Sequence, residues 1–147
     1  MRKQAGFTLI ELITVIVVLG ILAAFAIPRF TGLESQARIA TVNGLAGNLR
    51  SGAALAHALW VSAGNAPATV TMEGNTSVAM NATSGYPTGA AAGIDKVIQD
   101  LSGFTASGTR DFKLTNAPSN GDNCKVTYTE PTTSGSAPTI ASTTSGC

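Results

Sequence analysis

Residues 6–28 read GFTLIELITVIVVLGILAAFAIP, and this stretch decides the architecture. From Phe7 to Ile27 every residue is apolar or small except Thr8, Glu11 and Thr14. These 21 residues make about 31 Å of helix, which matches a bilayer core of roughly 30 Å. Ahead of them stands a short polar stretch, Met1 to Gly6, carrying Arg2 and Lys3. Positive charge at that end places it on the cytoplasmic side and the body of the chain outside. The order is wrong for an ordinary secretory signal, whose apolar core precedes a small-residue cut site. Here Ile27-Pro28-Arg29 is a poor site for such a cut, whereas Gly6 stands before the apolar run.

Glu11 is the residue that a plain anchor does not explain. An acidic side chain at the centre of a membrane helix costs about 2.5–3.5 kcal/mol, and less near the interface. A carboxylate kept there needs a partner. A cut after Gly6 would give Phe7 a charged amine, one helical turn from Glu11. In a bundle of helices the same carboxylate meets a neighbour's amine instead. The plainer alternative is a residue tolerated close to the headgroups.

Taken together, Gly6-Phe7-Thr8-Leu9-Ile10-Glu11, the basic leader before it and the apolar run after it resemble the class III signal of type IV pilins and type II secretion pseudopilins. The resemblance is close from Met1 to about Ala40. It implies a prepilin peptidase that cuts after Gly6 and methylates the new N-terminal Phe7, with Glu11 aiding docking into a growing filament. The run through Ala24 and the Ile27-Pro28-Arg29-Phe30 exit look most like major pilins of the mannose-sensitive haemagglutinin type. Gly20 weakens a helix by up to about 1 kcal/mol relative to Ala, and Pro28 removes a backbone donor. Close helix packing and a kink at the membrane exit are the simple readings of these two residues. The resemblance adds another, in which Gly20 to Pro28 loses its helical hydrogen bonds and extends inside the filament.

Beyond Pro28 an amphipathic helical pattern resumes. Ile39, Val42, Leu45 or Ala46, Leu49, Ala53, Ala56 and Leu59 or Trp60 form one stripe at spacings of three and four. Gly64-Asn65-Ala66-Pro67 stops it. One helix is therefore predicted from about Phe7 to Ala63, broken or bent near Pro28. Its second half must rest its stripe on something, most simply a sheet, and Gly44, Gly47 and Gly52 permit close approach. Glu34 and Arg38, four apart, add a minor helical pair.

The remainder alternates short β-like runs with turns. Asp111 to Thr115 and Lys125 to Thr129 are the firmest strands, and Ala68 to Met72 and Ser77 to Met80 flank Gly74-Asn75. Thr139 to Thr143 adds an edge, and Ala91 to Leu101 reads as a short helix. The expected fold class is α+β. The pilin fold implied by the resemblance has a long helix, membrane-spanning in its first half and amphipathic in its second, packed on a small antiparallel sheet. The corresponding division is 1–6 leader, 7–28 membrane and filament-core helix, 29–63 amphipathic half, and 64–147 loop, sheet and cysteine-bounded region.

Cys124 and Cys147 are the only cysteines, and beside an export-type N-terminus they suggest one disulfide, with two free thiols as the alternative. Such a bond would tie down the Ser-, Thr- and Gly-rich stretch from Pro131 to Gly146. The formal charge of +1 becomes +1 − 2 = −1 once Arg2 and Lys3 are removed, so no basic field points to nucleic acid. His57, the only histidine, reads as a surface or packing residue. No catalytic set or phosphate loop can be placed, and Asp95, Asp100, Asp111, Asp122 and Glu130 read as solvated surface; no enzyme, cofactor or metal is expected.

The function that follows is a major pilin: an inner-membrane precursor, single-pass with its N-terminus cytoplasmic, that polymerises into an extracellular type IV pilus. Its expected partners are itself, the prepilin peptidase, the inner-membrane assembly machinery and, before assembly, the membrane. The alternative is a type II secretion pseudopilin acting as a periplasmic piston.

Overall fold

The computed structural model describes residues 6–65, 67–108 and 110–147, and the side chains of residues 27–31 lie outside that description. The leader residues Arg2 and Lys3, and the side chain of Pro28, therefore fall outside the described part. The chain forms two compact units, residues 1–36 and 37–147. A helix, α1, spans Leu9–Ser62. Of the break or bend expected near Pro28, the break is absent, since the helix runs through Gly20 and Pro28. A single proline removes one ladder bond, and the turns on either side keep theirs.

The first unit is helix with its apolar side chains exposed, Leu9 to Phe25 among them. In the second unit the stripe read from the sequence is the buried one. Val42, Leu45, Ala46, Leu49 and Ala53 pack with Ile94, Phe112, Leu114, Cys124, Val126, Tyr128 and Cys147. One to two turns further on, Ala56 and Trp60 pack with Val70, Val78 and Met80 in a second cluster.

Two sheets receive this face, where one was expected. The first is a hairpin of β1 (Thr69–Met72) and β2 (Thr76–Ala79), joined through Glu73, Gly74 and Asn75. The second is antiparallel in the order β3-β4-β5-β6, with β3 Phe104–Ser107, β4 Asp111–Leu114, β5 Lys125–Thr129 and β6 Thr139–Thr143. β4 and β5 alternate, sending Phe112, Leu114, Val126 and Tyr128 inward. The helix expected over Ala91 to Leu101 is only a 3-10 turn at Ile94–Val97. Gly93, just before it, sits against the backbone of Thr88 with no room for a side chain, so the chain turns there instead of coiling.

Alternation sends Lys113 and Lys125 outward, directly opposite one another in the register of β4 and β5. Like charges so placed repel. Asp111 offsets this by accepting from Lys125 Nζ at 2.6 Å and from Thr127 Oγ1 at 2.6 Å, and Asp122 pairs with Lys113. Arg110 binds Asp95 at 3.3 Å and donates to the carbonyl of Gly89 at 2.6 Å, while Glu130 accepts from the Gly89 amide. Asp95, Asp111, Asp122 and Glu130, expected as solvated surface, are thus cross-ties between loops and strands, whereas Asp100 is exposed and bonds only to nearby Ser102. Their sequence separations hid this.

Partial burial pushes the Asp111 carboxyl up, but hydrogen bonds from Lys125 and Thr127 and the two lysine charges outweigh it, leaving it below its ordinary value. A lowered folded pKa gives stability that is present above the unfolded value of about 3.9 and lost as the pH falls through the folded value. Asp111→Asn is therefore expected to lower the melting temperature at neutral pH. The gap to the wild type should close as the pH falls below about 4. Thermal melts across that range check it, and a gap independent of pH would contradict it.

Candidate functional site

With α1 beginning at Leu9, Thr8 is the N-cap and Glu11 the third helical residue. The Thr8 amide donates to Glu11 Oε2 at 2.9 Å, and the Thr8 hydroxyl donates to the same oxygen at 2.7 Å. The Glu11 amide returns a longer bond to Thr8 Oγ1 at 3.3 Å. This is a reciprocal capping box, which satisfies donors that the first turn leaves without helical partners. The carboxylate also faces the positive end of the helix dipole. The sequence reading looked for the partner of Glu11 in an amine. In the single chain the partner is Thr8, and Thr-x-x-Glu heading an apolar run was the signal for it.

Thr14, the remaining polar side chain in the run, donates to the carbonyls of Ile10 at 2.9 Å and Glu11 at 3.0 Å. All three polar side chains of the segment are thus bonded within it, as a hydrocarbon surrounding requires. Leu9–Ala26 is long and apolar enough to cross a membrane, and none of its residues is buried in the fold.

Immediately before the cap, Phe7 is 86 % exposed. A side chain at Gly6 would meet nothing within 4 Å, so the fold itself does not demand glycine there. The same holds at Gly20, Gly44 and Gly47, whereas a side chain at Gly52 would strike Val97 at 2.9 Å. Of the four glycines on the amphipathic half, Gly32, Gly44, Gly47 and Gly52, only Gly52 serves an internal close approach.

At the other end of the chain Cys124 and Cys147 are joined in a disulfide, with Cα atoms 4.9 Å apart. The bond does not act alone. Arg38 Nη1 donates to the Cys147 carbonyl at 2.9 Å, and Arg50 Nη2 donates to the Ile140 carbonyl at 2.9 Å. The amphipathic half of α1 therefore holds β6 and the C-terminus. His57 is a packing residue, its ring stacked on Tyr86 with centroids 4.2 Å apart. Among the described residues no group of three or more His, Cys, Asp or Glu side chains is placed to hold a metal ion.

Residues 1–27 match the family described as the prokaryotic N-terminal methylation motif. The N-terminus carries this motif. Pilus, fimbrial and type II secretion proteins are what this protein resembles among curated proteins. It is 55 % identical over 54 residues to the type IV narrow pilus major component PilA5 of Thermus thermophilus, covering 37 % of this chain and 47 % of that one. It is 54 % identical over 37 residues to the type II secretion system core protein G of Vibrio cholerae, a quarter of each chain (25 %). It is 42 % identical over 48 residues to the type IV major fimbrial protein FimA of Dichelobacter nodosus, covering 33 % of this chain and 31 % of that one. The matched stretch spans about half the length of the first relative and less of the other two. No solved structure matches the chain significantly. The chain that carries this motif has a long helix with an apolar first half and an α+β body, a pilin-like fold.

Proposed function

We propose that this chain is the major structural subunit of a type IV pilus. The observation that carries the reading is the coincidence, within the methylation motif of residues 1–27, of Gly6-Phe7, Glu11 and a membrane-length apolar helix. In this reading residues 1–6 are the leader, the peptidase cuts after Gly6, and Phe7 is methylated. Residues 7–28 anchor the precursor in the inner membrane with the N-terminus cytoplasmic, then form the core of an extracellular filament. Residues 29–63 are the amphipathic half that carries the body, residues 64–147. The role is structural, with no catalysis and no cofactor.

Physical chemistry supports the polymer. An apolar helix leaves a bilayer readily only if it passes directly into another apolar surrounding, and a bundle of identical helices supplies one. A head-to-tail contact that does not close on itself builds a helical fibre. The partners are further copies of the chain, the prepilin peptidase and the assembly machinery of the inner membrane. Gly20 and Pro28 bracket the stretch proposed to extend in the fibre, since both weaken the ladder and Gly20 fills no internal contact.

A second reading, a pseudopilin acting as a periplasmic piston, is favoured by the likeness to the secretion core protein G. The disulfide-bounded C-terminus tilts the reading toward a pilin. Electron microscopy of the cell surface tests the pilus directly, and mass spectrometry of the subunit tests the processing. Gly6→Val is expected to leave a membrane-bound precursor that keeps residues 1–6 and lacks the methyl group on Phe7. Mature-length protein from that variant would refute the cleavage site.

A further inference from the structure

Residues 56–85 hold the last turns of α1, the β1–β2 hairpin and the turn that ends at Gly85. They have a core of their own. Ala56, Trp60, Val70, Val78 and Met80 pack together, apart from the cluster that holds Phe112, Tyr128 and both cysteines. Among the described apolar side chains only Val97 packs against both clusters. No described strand of the hairpin pairs with a strand of the four-stranded sheet.

The two cores differ in what closes them. The larger one is crossed by contacts of long range: the disulfide, four paired strands, and Arg38 and Arg50 reaching from α1 to Cys147 and Ile140. The smaller one is closed by bonds between near neighbours in the chain. The Trp60 indole donates to the Pro67 carbonyl at 3.0 Å, the Met80 amide to the Ala68 carbonyl at 2.8 Å, and the Gly85 amide to the Asn81 carbonyl at 2.8 Å. A two-stranded hairpin by itself is marginal in water, so this core is the weaker of the two.

A strap marks the boundary between them. The buried Tyr128 hydroxyl donates to the Pro87 carbonyl at 2.6 Å, Arg110 Nε donates to the Gly89 carbonyl at 2.6 Å, and Glu130 accepts from the Gly89 amide. Where the chain returns from the hairpin it is thus fastened to β5 and to the residues on either side of the sheet strands. Across the boundary run three backbone bonds: the Ala79 amide to the Ala92 carbonyl at 2.7 Å, the Thr88 amide to the Ala79 carbonyl at 2.9 Å, and the Asn81 amide to the Tyr86 carbonyl at 2.8 Å. The His57 ring, stacked on Tyr86 at 4.2 Å, is a further link.

A stretch that is continuous in the chain and anchored at both ends can detach without unthreading anything else. Contiguous units of this kind open cooperatively at less than the cost of global unfolding. We propose that residues 56–85 open and close as one unit while the four-stranded sheet and the disulfide stay in place. Opening bares Trp60, Val70, Val78 and Met80, apolar surface that the closed fold hides. The proposal concerns the body alone and does not depend on the pilus reading.

The test is hydrogen exchange of the full chain in detergent micelles at rising urea, read by mass spectrometry, with Trp60 emission recorded alongside. Trp60 is the only tryptophan and is buried, so its emission reports on this unit. Peptides from residues 56–62 and 69–79 are expected to exchange together, roughly tenfold or more faster than peptides from residues 42–49 and 125–129. The red shift of Trp60 should come at lower urea than the loss of protection in the larger core. Gly85→Ala supplies the second arm, because a side chain there would collide with the Trp60 ring. It is expected to speed exchange in the first set of peptides roughly tenfold and to leave the second set unchanged. Val78→Ala, at a fully buried position of the smaller core, should act in the same direction and keeps the test readable if Gly85→Ala does not fold. Equal exchange of the two sets in the wild type would overturn the proposal. So would a variant that speeds both sets equally, which would make the body one cooperative unit.

Discussion

Cells carrying Glu11→Ala are expected to cut the leader normally and yet to show no surface filaments, or very few. The substitution removes two things at once, the docking charge and the capping box with Thr8. Loss of a cap costs roughly 0.5–2 kcal/mol of helix stability. That frays a turn but leaves the remaining apolar segment in the membrane. Loss of the charge removes the partner proposed for a neighbour's Phe7 amine. Glu11→Gln separates the two, because a glutamine at this position still closes a capping box. If the charge matters, Glu11→Gln is as bare of filaments as Glu11→Ala. Shearing, gel quantification of filament protein and mass spectrometry of the membrane-bound subunit read both effects. Normal piliation in Glu11→Gln would discard the charge-pairing mechanism and leave the cap as the role of Glu11.

The second large effect is expected at the opposite end. Replacing Cys124 and Cys147 together with alanine opens a loop with a sequence separation of 23. In the chain-entropy account such a closure contributes about 3 kcal/mol. Cys124 is fully buried and Cys147 nearly so, and both belong to the main cluster, so lost packing adds to that figure. Arg38 and Arg50 still reach the carbonyls of Cys147 and Ile140. Both bonds are already present beside the disulfide, so they do not replace the covalent tie once it is lost. The variant should melt well below the wild type, and proteolysis should begin within Pro131 to Gly146. An unchanged melting temperature would mean that the two arginines suffice.

How much of this was legible in the chain depended on the range of the interactions. The stripe from Val42 to Trp60 was readable because a helix repeats every 3.6 residues, and those positions are the ones the core buries. β4 and β5 were readable from alternation, and β6 only as an added edge. β3 was not, because Phe104–Ser107 is four residues between glycines and half its side chains are exposed. The charged ties were invisible for another reason. Arg110 with Asp95, and Glu130 with the Gly89 amide, join residues whose proximity exists only after the loops have closed. The His57, Tyr86 and Trp60 stack is of the same kind. The capping box, by contrast, was wholly local, and could have been read from Thr8 and Glu11 three residues apart.

That local bond changes the character of assembly. A carboxylate already held by Thr8 does not search the bilayer for a cation, so the lone subunit is self-contained while it diffuses. In the proposed fibre, joining would exchange one partner of Glu11 for another, and that residue's share of the docking free energy would be the difference between two bonded states. A small difference makes the step reversible.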